Sequence, residues 1–189
     1  MTDTQKKPLW KNELVWLFLL TSGLFAILYS KFILGGYAYV FTDTGADTMQ
    51  INYAQYGLFS SLFRSGESGY VLQAGLGMDV SSYYPAYLIP YNLLILLAPQ
   101  RLLPWAVLAS AYLKMITISL VGYLFYRKLM QDGIGTMAAA LAWTFSGYVI
   151  LWGQHYGFCT CMALFTVFMY FLQCYLNGEQ RWKSAGLMI

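Results

Sequence analysis

LLPWAVLASAYLKMITISLVGYLFY, running from Leu102 to Tyr126, is 25 residues long and carries one charge, Lys114. A helix that crosses a bilayer needs roughly 20 mostly apolar residues, because each residue rises about 1.5 Å and the hydrocarbon core is about 30 Å thick. The stretch meets that length, and it has no polar face to turn toward water. Working outward, Ile134–Gly153 and Phe158–Leu176 meet the same criterion on the C-terminal side, and Leu14–Leu34 meets it on the N-terminal side. The composition agrees. Hydrophobic residues make up 59% of the chain and charged residues 10%, against roughly 25% charged in an ordinary soluble protein. Eleven Lys and Arg with eight Asp and Glu cannot furnish an aqueous surface for 189 residues. The expected fold class is all-α: a polytopic transmembrane protein of four spanning helices in a single membrane domain.

A fifth apolar stretch, Ala86–Ala98, is too short to span. Pro85 and Pro99 flank it and Pro90 interrupts it, so an interfacial or re-entrant helix is expected there. Charge supports this count. Lys6, Lys7 and Lys11 precede the first span, Arg127 and Lys128 follow the second, and Arg181 and Lys183 follow the fourth. With four crossings all three clusters fall on the cytoplasmic side, as the positive-inside rule favours. With five, the last two would lie outside. The expected topology of this plasma-membrane protein therefore has residues 1–13 and 177–189 inside. Residues 35–84 form a long outer loop, and Gln154-His155-Tyr156 a tight outer turn. The N-terminal apolar run exceeds the roughly 7–15 residues of a signal peptide core, and no small-x-small cleavage site follows it. An uncleaved anchor is the expectation.

Chemistry is expected in the outer loop, since a connection of some 50 residues without a function is uncommon. It carries Asp43, Asp47, Glu67 and Asp79 against a single Arg64. Along Asp47-Thr-Met-Gln50-Ile-Asn-Tyr53-Ala-Gln-Tyr56, polar and aromatic residues recur at three- and four-residue intervals, which on a helix sets them on one face. Gly75-Leu-Gly77-Met-Asp79 and Ser81-Ser-Tyr83-Tyr84-Pro85 form a glycine-rich turn. It lacks the strand and helix that a phosphate loop requires. Cys159, Cys161 and Cys174 all lie in the fourth span and read as small packing residues. The basic residues are scattered topological markers, so nucleic acid is not an expected partner.

Several segments in order resemble the N-terminal part of the bacterial YfhO family of polytopic membrane proteins. They are Asp47-x-x-Gln50, Gln73-Ala-Gly75-Leu-Gly77-Met-Asp79, Tyr84-Pro-Ala-Tyr-Leu-Ile-Pro90-Tyr-Asn92, Leu113-Lys114 and Ala140-Leu-Ala-Trp-Thr-Phe-Ser146-Gly147-Tyr148. That family resembles the GT-C glycosyltransferases. The resemblance implies a GT-C-like layout and a polyprenyl-phosphate-linked sugar as donor. It further implies an envelope polymer or lipid as acceptor, and a loop carboxylate as base. Asp47 is the first choice for that base and Asp43 the second; the two together would suit a divalent cation, though no metal site is assigned. Family members are longer, and Ala185-Gly-Leu-Met-Ile189 reads as the start of another apolar run, so the chain is expected to be an N-terminal portion.

Further substrate contacts are expected at Gln50, Asp79, Tyr84, Lys114 and His155. Lys114 lies within a span, where a charge costs at least about 2.5–3.5 kcal/mol on insertion scales. It is expected either to bind a carrier phosphate or to pair with a loop acid, or else to pair structurally or snorkel. His155 reads first as an aromatic-belt residue, with a substrate contact as the alternative, and Asp47 reads also as a helix cap. Two other functions stay open, a flippase for lipid-linked sugars and a non-catalytic fragment. Against the flippase, no internal repeat and no matching pair of broken helices is legible.

Overall fold

The computed structural model describes residues 12–41, 47–67, 69–72, 77–82, 89–130 and 132–179. The chain is mostly helical, and its long central helix, α5 (Leu103–Leu129), is the axis on which the rest packs. α1 (Glu13–Leu28) and α6 (Gly133–Thr144) pack on α5, as does α8 (Tyr156–Leu176). Three helices among the described residues are long and apolar enough to cross a membrane, over Gln100–Leu129, Gly133–Trp152 and Tyr156–Leu176. Glu13–Leu28 is apolar but shorter.

Two expected spans are interrupted. α1 stops at Tyr29 and the chain resumes helix as α2 (Ser30–Leu34). Tyr29 is buried, stacked on Phe25 at 4.3 Å and edge-on to Tyr39 at 5.3 Å. The third apolar segment breaks at Phe145 and Ser146 and continues as α7 (Gly147–Trp152). A Ser-Gly pair is a common site of helix interruption. Neither break shows in hydropathy, which averages over a window wider than one turn.

Hydrogen bonds tie the helices across apolar surroundings. Thr21 and Ser119 hydroxyls meet at 2.7 Å between α1 and α5, and Ser22 meets Tyr112 at 2.8 Å. Trp143 Nε1 donates to Thr166 Oγ1 at 3.0 Å between α6 and α8. Lipid gives helices no hydrophobic reason to associate, so small side chains and polar pairs take over that role. Gly122 of α5 fits it, since a Cβ there would sit 3.6 Å from Trp143 and 3.8 Å from Thr166.

Four helix ends converge at one face of the bundle. Tyr123 donates its hydroxyl to the Glu13 carboxylate, which also lies against Gly133 so closely that a Cβ there would collide with it. Asp132 caps α6 through the Ile134 and Gly135 amides, and Lys128 pairs with Glu179 at 2.5 Å. Arg127 and Lys128 lie at this face, on the last turn of α5.

Segments between residues 35 and 98 gather at the other end. A π turn, Thr48–Tyr53, leads into α3 (Ala54–Ser65). Next comes a short antiparallel hairpin of β1 (Tyr70–Val71) and β2 (Met78–Asp79), with Tyr70 opposite Asp79. α4 (Leu93–Leu97), with a 3₁₀ turn Pro90–Asn92 before it, is only five residues long, in keeping with an element that does not span. Phe59, Leu62, Val71, Val80 and Leu96 form this layer's own core.

Gly77 is the hairpin's critical position. Its φ is +105° and a Cβ would run into the Tyr70 ring, so only glycine fits without strain. Gly77→Ala is expected to cost the hairpin about 1–3 kcal/mol. Amide exchange at Val80, whose N–H donates to Gly69, should accelerate while exchange in α5 stays unchanged. Unaltered protection at Val80 would contradict this.

Candidate functional site

Apolar helices bring the chain back to the loop end at three points, after α2, before α5 and between α7 and α8, and aromatic residues fill the space between them. Tyr39 is buried against Tyr29, Phe32 and Phe41, and its ring lies 5.8 Å from that of Tyr156. Burial, reinforced by the neighbouring Tyr29, pushes its hydroxyl far above the ordinary tyrosine range, so it stays a neutral hydrogen-bonding group. Tyr156 donates to the Tyr39 carbonyl and stacks on Tyr56 at 5.3 Å, with the rings 12° from parallel. Tyr56 in turn reaches Asn92 Oδ1 at 3.4 Å. α3 is held down further by Ser60 on the Ala98 carbonyl, 2.7 Å, and by Gln100 on the Gly57 carbonyl, 2.7 Å.

Asp47 starts the π turn at one edge of this aromatic plug. The adjacent Thr48 is fully buried and donates its hydroxyl to the Gln154 carbonyl at 3.1 Å. Asn52 folds back five residues to donate to the Asp47 carbonyl at 3.2 Å. The wider winding changes the pattern expected for an α-helix. Residues 47, 50 and 53 do not stack as they would at 3.6 residues per turn, while Gln50 is exposed. Asp47 itself is half-buried.

The Thr48–Gln154 bond brings the π turn to His155, next in the chain after Gln154. His155 is half-buried, its ring 5.6 Å from both Trp152 and Phe158. Tyr156, expected within the turn, is instead the first residue of α8. Its carbonyl accepts from Thr160 Oγ1 at 3.2 Å and from Lys114 Nζ at 3.1 Å. Lys114 is 2% exposed, and among the described residues this carbonyl, not a carboxylate, is its hydrogen-bond partner. Thr48 on the Gln154 carbonyl and Lys114 on the Tyr156 carbonyl thus both attach to the short segment Gln154–Tyr156, and Asp47 is the chain neighbour of Thr48.

Asp79 lies apart from those contacts, in the hairpin. It is exposed, and its carboxylate accepts from the Ser81 amide at 3.0 Å and the Ser81 hydroxyl at 2.6 Å. Those two bonds hold it below the ordinary carboxylate range. Its described contacts are those of a turn-forming aspartate. Asp43 and Tyr84 lie outside the described residues, as do Tyr83 and Tyr87. Among the described residues no group of three His, Cys, Asp or Glu side chains could hold a metal ion. All three cysteines are unpaired thiols, and Cys159 donates to the Val149 carbonyl at 3.6 Å.

The sequence did not point to Thr48, Tyr39 or Tyr156. Each acts through tertiary contact across about 100 residues or more, and a threonine or tyrosine beside a membrane has no distinguishing local pattern. Lys114 was legible because a charge in an apolar run needs a cause. No family model, curated protein or solved structure matches the chain.

Proposed function

We propose that this is a YfhO-like integral membrane glycosyltransferase, which takes a sugar from a polyprenyl phosphate outside the plasma membrane and gives it to an envelope polymer or lipid. The observation that carries the reading is that the π turn beginning at the half-buried Asp47 and the buried Lys114 are tied to one segment, Gln154–Tyr156, through Thr48 and the Tyr156 carbonyl. A carboxylate at the loop end and a cation among apolar helices are what transfer from a lipid-linked donor needs. Asp47 takes the proton of the acceptor hydroxyl, and the oxygen attacks the anomeric carbon. The bond from that carbon to the carrier phosphate breaks, and the phosphate leaves with the electron pair. Lys114 supplies positive potential toward the leaving group in a medium of low dielectric. His155 and Gln50 flank the same edge and are assigned to substrate. Charge supports an N-terminus inside, because Arg127 and Lys128 lie at the face opposite the loop layer.

A flippase for lipid-linked sugars is the second reading. One observation favours it, the interruption of two apolar helices at Tyr29 and at Phe145–Ser146, a feature common where transporters bind their cargo. Membranes carrying the full protein, supplied on the outer side with radiolabelled polyprenyl-phosphate sugars, separate the two. Label moving into an acceptor supports the transferase. Label crossing the bilayer still attached to its carrier supports the flippase and overturns the transferase.

A further inference from the structure

A cavity of about 140 Å³ opens at the loop end, away from the Thr48–Gln154 bond. Phe32, Gly36, Tyr37, Ala38, Pro104 and Trp105 line it. Tyr37 and Trp105 are 68% and 50% exposed, so two large rings border the opening without being consumed by packing. The sequence shapes this mouth. Gly35 lies so close to the Lys31 carbonyl that any Cβ would collide with it, and the Cβ would also press on the Tyr37 ring. Gly36 has φ +69°, in the left-handed region. The pair turns the chain tightly out of α2 and lays the Tyr37 ring beside its own backbone. Pro104, at the start of α5, gives the opposite wall a fixed backbone.

We infer that this cavity is a subsite for one hexopyranose ring, held against Tyr37 and Trp105. The C–H faces of a pyranose stack on aromatic rings, while its hydroxyls need polar partners at the edge. Tyr37 and Trp105 offer ring faces, part of the cavity's lining is polar, and the volume suits a single ring. The choice of a sugar rests on the glycosyltransferase reading, and the site would hold either the donor sugar or the terminal residue of an acceptor. Both aromatic residues are half or more exposed, so their removal should leave folding intact.

The test is saturation-transfer NMR on the full protein in nanodiscs, with glucose, galactose and N-acetylglucosamine as probes. The wild type is expected to transfer saturation to the ring protons of at least one sugar. Trp105→Ala and Tyr37→Ala should each weaken that sugar's binding about two- to tenfold, while Tyr37→Phe, which keeps the ring, should bind nearly as the wild type does. No signal from any probe, or an undiminished signal in the Tyr37→Ala/Trp105→Ala double variant, would overturn the subsite. Asp47→Asn separates the two claims. If it still binds sugar through Tyr37 and Trp105, and the wild type shows no transfer, the subsite stands and the transferase reading falls. If the wild type transfers sugar but neither aromatic residue affects binding, the reverse holds.

Discussion

Asp47→Asn is expected to reduce sugar transfer by about 10²- to 10⁴-fold, the usual contribution of a positioned general base. The substitution is close to isosteric, and it removes the negative charge together with the ability to accept a proton. Asn52 bonds to the Asp47 backbone carbonyl, and Thr48 to the Gln154 carbonyl, so the π turn retains the contacts that anchor it. Membrane abundance and thermal unfolding in detergent should therefore match the wild type. The measurement is the rate of label transfer from a polyprenyl-phosphate sugar at saturating donor. A loss confined to kcat identifies Asp47 as the base. A variant within about twofold of the wild-type rate would remove Asp47 from the chemistry. The same change made at Asp79 is expected to leave the rate unaltered, because that carboxylate is engaged by Ser81 in the hairpin turn.

What the sequence made legible follows from how each feature is encoded. Membrane residence is encoded by composition and run length, both additive along the chain, and Leu103–Leu129 and Tyr156–Leu176 form helices near their expected limits. The prolines around Ala86–Ala98 predict a short element there, and within that stretch Leu93–Leu97 is a five-residue helix, while residues 86–88 lie outside the described residues. The break at Tyr29 was not legible. It coincides with a ring turned into a cluster whose members include Val107 and Tyr156, from distant parts of the chain. The π turn escaped for a related reason. Intervals of three and four along 47–56 fit an α-helix, and the wider backbone winding of Thr48–Tyr53 leaves no mark in the order of residues. For the site, acids and an intramembrane lysine could be picked out by type, but the contacts of Thr48 and Lys114 could not. Those contacts go to backbone carbonyls at Gln154 and Tyr156, and carbonyls are common to every residue.

Lys114→Met distinguishes a lysine kept for chemistry from one kept for architecture. At about 1.5 Å per residue, Lys114 lies about 20 Å along α5 from Arg127. That places it within a hydrocarbon core of about 30 Å, nearer the loop end. Its ammonium is buried, and among the described residues its one hydrogen bond goes to a neutral carbonyl at 3.1 Å. A carbonyl dipole offsets only part of the cost of removing a full charge from water. Methionine fills a similar volume with no charge to desolvate, and replacing buried ionic groups by apolar ones of like size is often neutral or stabilising by about 1–4 kcal/mol. Tyr156 would keep the Thr160 hydroxyl on its carbonyl and its ring stacked on Tyr56, so the start of α8 has other support. The expected result is unfolding at or above the wild-type temperature together with transfer reduced about 10²-fold or more, as when one electrostatic donor is lost from an active site. Lys114→Arg should recover part of the rate, since it restores charge in a different shape. If Lys114→Met instead unfolds earlier and its surviving folded fraction works at the wild-type rate, the lysine is an architectural tie between α5 and α8, and the positive charge for the leaving phosphate must come from another residue.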